Sequence, residues 1–254
     1  MKVIIRTLAC ALFLTGLMSI NAAAQFEGQI QMALYGDDEN GNPETSYANL
    51  FVTKDRIMLK GEESMKMNDM MDAEGILVRH DMRDFVLMMG NNKALQITKA
   101  EIESLIQTFS GWSQGSRENT PSEDDMDYKY TNRTRTINGY ECTEMVVTSK
   151  EEPGKSLSIW LTPDIQINWG ILKEPWKNLP KDIENGVNNI GRDVVFSGKN
   201  FPMLIEENGG SESKVIMEVS NVNESSIAKA MVEIPAGMKL VSMKEFMFDM
   251  MMQQ

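Results

Sequence analysis

Short apolar runs with period two, each stopped by turn-forming residues, narrow what this chain can fold into more than any other feature of its sequence. From Phe26 to Leu34 apolar and polar residues alternate over most of the length, as they do in an extended strand with one face buried. Gly36-Asp37-Asp38-Glu39-Asn40-Gly41-Asn42-Pro43 then breaks the run. Tyr47 to Val52 and Arg56 to Lys60, either side of Lys54-Asp55, read as further strands, followed by Gly75 to Arg79, Asp84 to Met89 and, beyond Asn91-Asn92, Ala94 to Ile97. The series resumes at Tyr128 to Ile137, Glu141 to Thr148 and Ser156 to Thr162, separated by Asn138-Gly139 and Glu152-Pro153-Gly154. Met203 to Ile205 and Lys214 to Val219 form a last hairpin around Asn208-Gly209-Gly210. Connections this short join antiparallel neighbours. An α+β fold, mainly β and built on an antiparallel sheet, is therefore expected.

Two segments carry helix grammar instead. Thr98 can cap a helix, Glu101 stands at the reciprocal capping-box position, and Ile97 can staple against Ile102. Ile102, Leu105, Ile106, Phe109 and Trp112 then recur at spacings of three and four, making one apolar stripe that Gly111 and Gly115 bring to an end. Residues 113–127 are polar and acidic and predict a surface loop. Near the C-terminus the grammar returns: Ser242 caps, Glu245 answers it, Val241 faces Phe246, and Met243, Met247, Met250 and Met251 fall largely on one side. Between these, Trp169, Ile171, Leu172, Trp176 and Leu179 suggest a short helix or irregular cover for the sheet.

The start of the chain reads as an export signal. Lys2 and Arg6 precede an apolar run from Leu8 to Ile20, and Ala22-Ala23-Ala24 supplies small residues before Gln25. Cleavage after Ala24 is expected to leave residues 25–254 as one curved-sheet domain in the periplasm or another extracytoplasmic space. Cys10 lacks the preceding box of a lipoprotein anchor, and the apolar run is shorter than the roughly 20 residues of a membrane-spanning helix. Without the leader, Cys142 is the single cysteine, so no internal disulfide can form and the thiol is expected to be buried. The formal charge, −12 for the whole chain, becomes −14 when Lys2 and Arg6 are removed. That balance disfavours nucleic acid and anionic membrane surfaces as partners, and no stable membrane insertion is expected.

Few residues point to chemistry. The chain has one histidine, His80, no nucleophile-elbow serine, and carboxylates that no spacing singles out. The Asp37 to Gly41 stretch lacks calcium-loop spacing. A non-enzymatic role without a cofactor is therefore expected. Methionine is abundant, at 22 residues, and Met65, Met67, Met70 and Met71 cluster in a way that suits soft Cu(I). Methionine is also adaptable filler for cores and apolar pockets, so copper stands as the alternative.

Four short segments carry a resemblance. Phe26-Glu27-Gly28-Gln29-Ile30, Ile137-Asn138-Gly139-Tyr140-Glu141-Cys142 and Ile159-Trp160-Leu161-Thr162-Pro163-Asp164-Ile165, with Ile234-Pro235-Ala236-Gly237-Met238 as a closing motif, resemble the exported bacterial family known as domain of unknown function 4412. That family is similar to the periplasmic lipoprotein carriers of the Lol system. The resemblance implies a strongly curved antiparallel sheet, an open half-barrel with helices on its concave side. It also implies an apolar cavity for a lipid or for the acyl part of a lipoprotein. Met88, Ile102, Leu105, Ile106, Phe109, Phe246, Met247 and Met250 are the residues expected to line it. An envelope structural or interaction protein whose core is filled by its own side chains is the competing expectation.

Overall fold

The computed structural model describes residues 25–37, 41–68, 71–101, 126–150, 154–173, 200–209 and 213–252. Residues 1–24, read as an export signal, the stripe Ile102 to Trp112 and the acidic stretch 113–125 lie outside them. The described residues build one open sheet of twelve strands, and the expected mainly-β, curved antiparallel architecture holds.

Strands β1 (Gly28–Asp37), β2 (Pro43–Val52), β3 (Arg56–Asn68), β4 (Met71–Arg79), β5 (Asp84–Met89) and β6 (Lys93–Thr98) form a first meander. Strands β7 (Met126–Ile137), β8 (Tyr140–Ser149), β9 (Ser156–Thr162), β10 (Phe201–Asn208) and β11 (Lys214–Asn223) form a second. Antiparallel pairing of β1 with β11 joins the two, and β12 (Lys239–Ser242) lies parallel to β6, giving the order β12-β6-β5-β4-β3-β2-β1-β11-β10-β9-β8-β7. The tight turns are chemically explicit. Asn138 and Gly139, the two-residue loop between β7 and β8, have φ of +51° and +84°, and Asn91 and Asn92, in the three-residue loop between β5 and β6, of +68° and +58°, the left-handed backbone that tight hairpin loops need and that Asn and Gly tolerate.

Several boundaries depart from the sequence reading, among them the turn read over Gly36 to Pro43, whose ends belong to β1 and β2. β3 runs to Asn68 and β4 starts at Met71, so the hairpin extends well past Lys60 and takes in Met65, Met67 and Met71; its ladder pairs Met65 with Ala73 and Asn68 with Met71. Met126 and Asp127, read as the end of the acidic loop, open β7. β12 had no sequence signal beyond Leu240 and Val241, because its partner strand lies far back in the chain.

Alternation along β5 shows how the sheet is covered. Val86 and Met88 turn to one face, where they join Phe51, Met58, Leu77 and Ala94 beneath Ile227, Val232, Ile234 and Met238 from the segment between β11 and β12. Leu87 and Met89 turn to the other face, where they join Leu95, Ile97 and Val241 against Met243 and Phe246 of the C-terminal helix, Met243–Met252. Each large aliphatic side chain buried in this way contributes about 1.5–3 kcal/mol. On the face of Val86 and Met88 sits a charged pair: Arg79 meets Asp84 through two hydrogen bonds, Nε to Oδ1 at 2.8 Å and Nη2 to Oδ2 at 2.6 Å, and Gln96 donates to the same carboxylate at 2.6 Å. The carboxylate's acceptors are thereby matched by planar donors, which is what burial of an ion pair requires.

Candidate functional site

Three of the four segments that carried the family resemblance converge in space, while Ile234 and Met238 of the fourth pack over Val86 and Met88. Phe26, Ile30, Cys142, Trp160 and Ile165 are all buried in the largest core cluster, together with Leu50, Val52, Ile57 and Val219, and Ile137 and Tyr140 pack against it. The Phe26 amide donates to the Gln166 carbonyl at 2.8 Å, tying the start of β1 to the chain that leaves β9. Ile171 is buried in the same cluster and Trp169 and Leu172 pack on it, so the expected irregular cover begins with the short 3₁₀ turn Gly170–Lys173. The motifs are thus packing determinants, and none of them presents a reactive group.

The residues expected to line one apolar cavity are distributed differently. Met88 is sealed under Val232, while Phe246 packs on Leu87 and Val241 at the opposite face, so the sheet lies between them. Met247 is half-buried on the C-terminal helix. Met250 belongs to the same helix, and Ile102, Leu105, Ile106 and Phe109 lie outside the described residues. Of the methionines considered for copper, Met65 and Met67 belong to β3 and Met71 to β4, and Met70 lies outside the described residues. Among the described residues no group of three or more His, Cys, Asp or Glu side chains could hold a metal ion.

The second meander divides apolar from polar more sharply than any sequence pattern suggested. On one face, Met145, Val147, Ile159 and Leu161 form a cluster of their own, with Leu157 and Ile205 packed against it. On the other face, residues of β7 to β10 line a groove of about 660 Å³, walled by Arg133, Arg135, Glu144, Ser158, Trp160, Glu206 and Asn208 among others. A smaller groove of about 490 Å³ continues beside Lys129, Tyr130 and Asn132 and shares Val146.

The polar face is organised around the indole of Trp160, which is 3 % exposed. Arg133 and Arg135 stand over its ring, 5.3 and 5.7 Å from the centroid, and the indole N–H donates to Glu206 at 2.8 Å. Arg133 Nη1 donates at 2.9 Å to Glu144, which also accepts from the Thr131 hydroxyl at 2.8 Å, and Arg135 approaches Glu206 at 3.8 Å. The Glu144 side chain is 1 % exposed, whereas those of Arg133 and Arg135 are 69 % and 52 % exposed. The carboxylates are therefore at the back and the guanidiniums at the front. A register shift between Tyr130 and Thr134 brings this about, because Thr131, Asn132 and Arg133 are interposed where β8 supplies Glu144 alone. The sequence shows these residues but not the bulge that aligns them.

Two other groups have chemistry of interest. The Cys142 thiol is buried, is pushed up to about 11 by that burial, and donates to the Tyr140 carbonyl at 3.5 Å, so it stays protonated and unreactive at neutral pH. His80 is packed against Gly170, whose positive φ of +54° and lack of a side chain admit the ring. Burial is the leading influence on His80 and holds its pKa below the ordinary value, against the opposing pull of Asp55, Asp81 and the Asn168 backbone.

A family model described as Domain of unknown function (DUF4412) matches residues 15–238. No curated protein matches the chain. Among solved structures, PNGF-II in its C2 crystal form is similar at 13 % identity and a TM-score of 0.39, over 89 % of this chain and 33 % of that one. The MucA/MucB complex of Pseudomonas aeruginosa is similar at 11 % identity and a TM-score of 0.41, over 87 % and 60 %. A LolA superfamily protein from Nitrosomonas europaea is similar at 10 % identity and a TM-score of 0.30, over 83 % and 91 %. The chain thus spans about a third of the length of PNGF-II.

Proposed function

We propose, from the premise that this chain belongs to the DUF4412 family, that it is exported and works without catalysis, as a binding or carrier protein of the envelope for a hydrophobic ligand, a lipid or the acyl part of a lipoprotein. The observation that carries this reading is the apolar face of β8 to β10, where Met145, Val147, Ile159 and Leu161 cluster apart from the main core on a sheet that does not close. An acyl chain lying there would exchange one apolar cover for another, and each methylene it buries would contribute about 0.8 kcal/mol. Roughly ten methylenes would then offset much of the association cost, which is about 4–15 kcal/mol. In this reading Ile102, Leu105, Ile106 and Phe109, with Phe246, Met247 and Met250, supply apolar surface to the ligand. The leader-like residues 1–24 support export, and no helix among the described residues is long and apolar enough to cross a membrane.

Native mass spectrometry of gently purified protein, before and after incubation with phospholipid vesicles, tests the proposal. A bound lipid that a Val147→Asp variant cannot retain is the expected result. Protein that carries no lipid and takes none up would overturn it and favour the filled-core reading, which the sealing of Met88 beneath Val232 supports.

A further inference from the structure

The two ends of the sheet are unlike. At one end β12 has four residues, Lys239–Ser242, and runs directly into the C-terminal helix, which packs back on the same layer. At the other end β7 has twelve, Met126–Ile137, and β8 is its single neighbour among the described residues. An edge strand carries unpaired backbone donors and acceptors along its outer side, and one this long is a template for another strand. From Asp127 to Ile137 every residue but Thr131 and Ile137 is exposed.

Charge and shape say what would fit. In a chain of formal charge −12, β7 bears Lys129, Arg133 and Arg135 against the single carboxylate of Asp127. Lys129, Arg133 and Arg135 fall on the face that carries the Trp160 groove, and both guanidiniums are backed there by Glu144 and Glu206 while their side chains remain 69 % and 52 % exposed. Tyr128 and Tyr130, 43 % and 56 % exposed, fall on the opposite face, opposite Val147 and Met145 in the ladder. A second copy of β7 is a poor match. Antiparallel self-pairing centred on Thr131 sets Lys129 across from Arg133, and pairing centred on Asn132 sets it across from Arg135.

We propose that β7 is a docking edge for an extended peptide segment of another protein, one that carries carboxylates at alternate positions toward Lys129, Arg133 and Arg135 and apolar side chains toward Tyr128 and Tyr130. Backbone pairing supplies affinity, and the anchored guanidiniums set register and sign. The site does not depend on the acyl-binding reading, since it rests on the strand edge and the exposed side chains of β7 and not on the buried cluster of Met145 and Val147, and it can stand if that reading fails.

The test uses the full mature chain and a dye-labelled peptide of about ten residues that alternates Glu and Val, with a Lys-Val peptide as control. Fluorescence polarisation should detect binding of the acidic peptide alone, and hydrogen exchange should show protection confined to the amides of 126–137. The double variant Lys129→Glu/Arg135→Glu alters two exposed side chains and spares Arg133 and its partner Glu144; it should weaken the acidic peptide by about tenfold or more while leaving the circular dichroism spectrum unchanged. Failure of the acidic peptide to bind, equal binding of the two peptides, an unchanged affinity in the double variant, or protection elsewhere would overturn the proposal. Anionic phospholipid vesicles that protect the same amides where the peptide does not would reassign the edge to a membrane surface and overturn it as well.

Discussion

Single residues differ most in how they reconcile burial with polarity. Arg79 and Asp84 do so as a pair, 7 % and 1 % exposed, with Gln96 completing the set. Asp84→Asn leaves the guanidinium buried without its counter-charge and is expected to cost about 3–5 kcal/mol in urea unfolding, whereas the double change Arg79→Leu/Asp84→Leu removes both charges and should cost much less. His80 resolves the same conflict by remaining neutral. Its folded-state pKa lies below the unfolded value of about 6.5, so the unfolded chain takes up the proton first as pH falls. The stability tied to the neutral ring is therefore present above that pH and lost as pH drops through the folded-state value. Urea midpoints measured between pH 7.5 and 5 should fall more steeply for the native protein than for His80→Gln; parallel curves would show that the ring does not titrate in this way.

Among the elements, the two helix starts look alike in sequence but not in space. At Thr98 both halves of the capping box form: Glu101 N–H donates to the Thr98 hydroxyl at 3.2 Å, and the Glu101 carboxylate accepts from the Thr98 backbone N–H at 2.9 Å. At Ser242 the Glu245 amide donates to the Ser242 hydroxyl at 3.2 Å, but the Glu245 carboxylate turns to Lys239. Ser242→Ala should cost about 1 kcal/mol, and Thr98→Ala more, because the Thr98 hydroxyl also donates to the Glu101 carboxylate at 2.8 Å and that bond is lost as well; a larger midpoint shift for Ser242→Ala would contradict this. The same contrast shows what a sequence can disclose. Local devices such as Asn138-Gly139, Asn91-Asn92 and Thr98-Glu101 were legible because their partners lie within four residues. The long β3–β4 hairpin was not, since Glu62-Glu63-Ser64 breaks the apolar alternation while the backbone ladder extends past it to Asn68. Nor was the Trp160 face, which needs a bulge in β7 and side chains from four strands. The separation of Met88 from Phe246 follows from a parity that only the register fixes.

At the scale of the whole molecule, the pairing of β1 with β11 is the seam that makes one sheet of two meanders. Gly28 stands at that seam, where a Cβ would run into the Asn223 carbonyl oxygen. Gly28→Ala is expected to cost about 2 kcal/mol or more by overpacking. Gly139→Ala, whose φ of +84° is unfavourable but whose Cβ would meet nothing within 4 Å, should cost about 1 kcal/mol. Urea unfolding that ranks Gly139→Ala as the more damaging change would argue against a tightly closed seam. The strand order also sets a timetable. The first meander obtains its neighbours, β11 beside β1 and β12 beside β6, only from the last part of the chain. During synthesis neither margin can meet its partner strand until residues 214–242 have appeared, so completion of the sheet must wait for them. Contacts of such long sequence separation make folding slow, and they keep the emerging sheet open for as long as those residues are withheld.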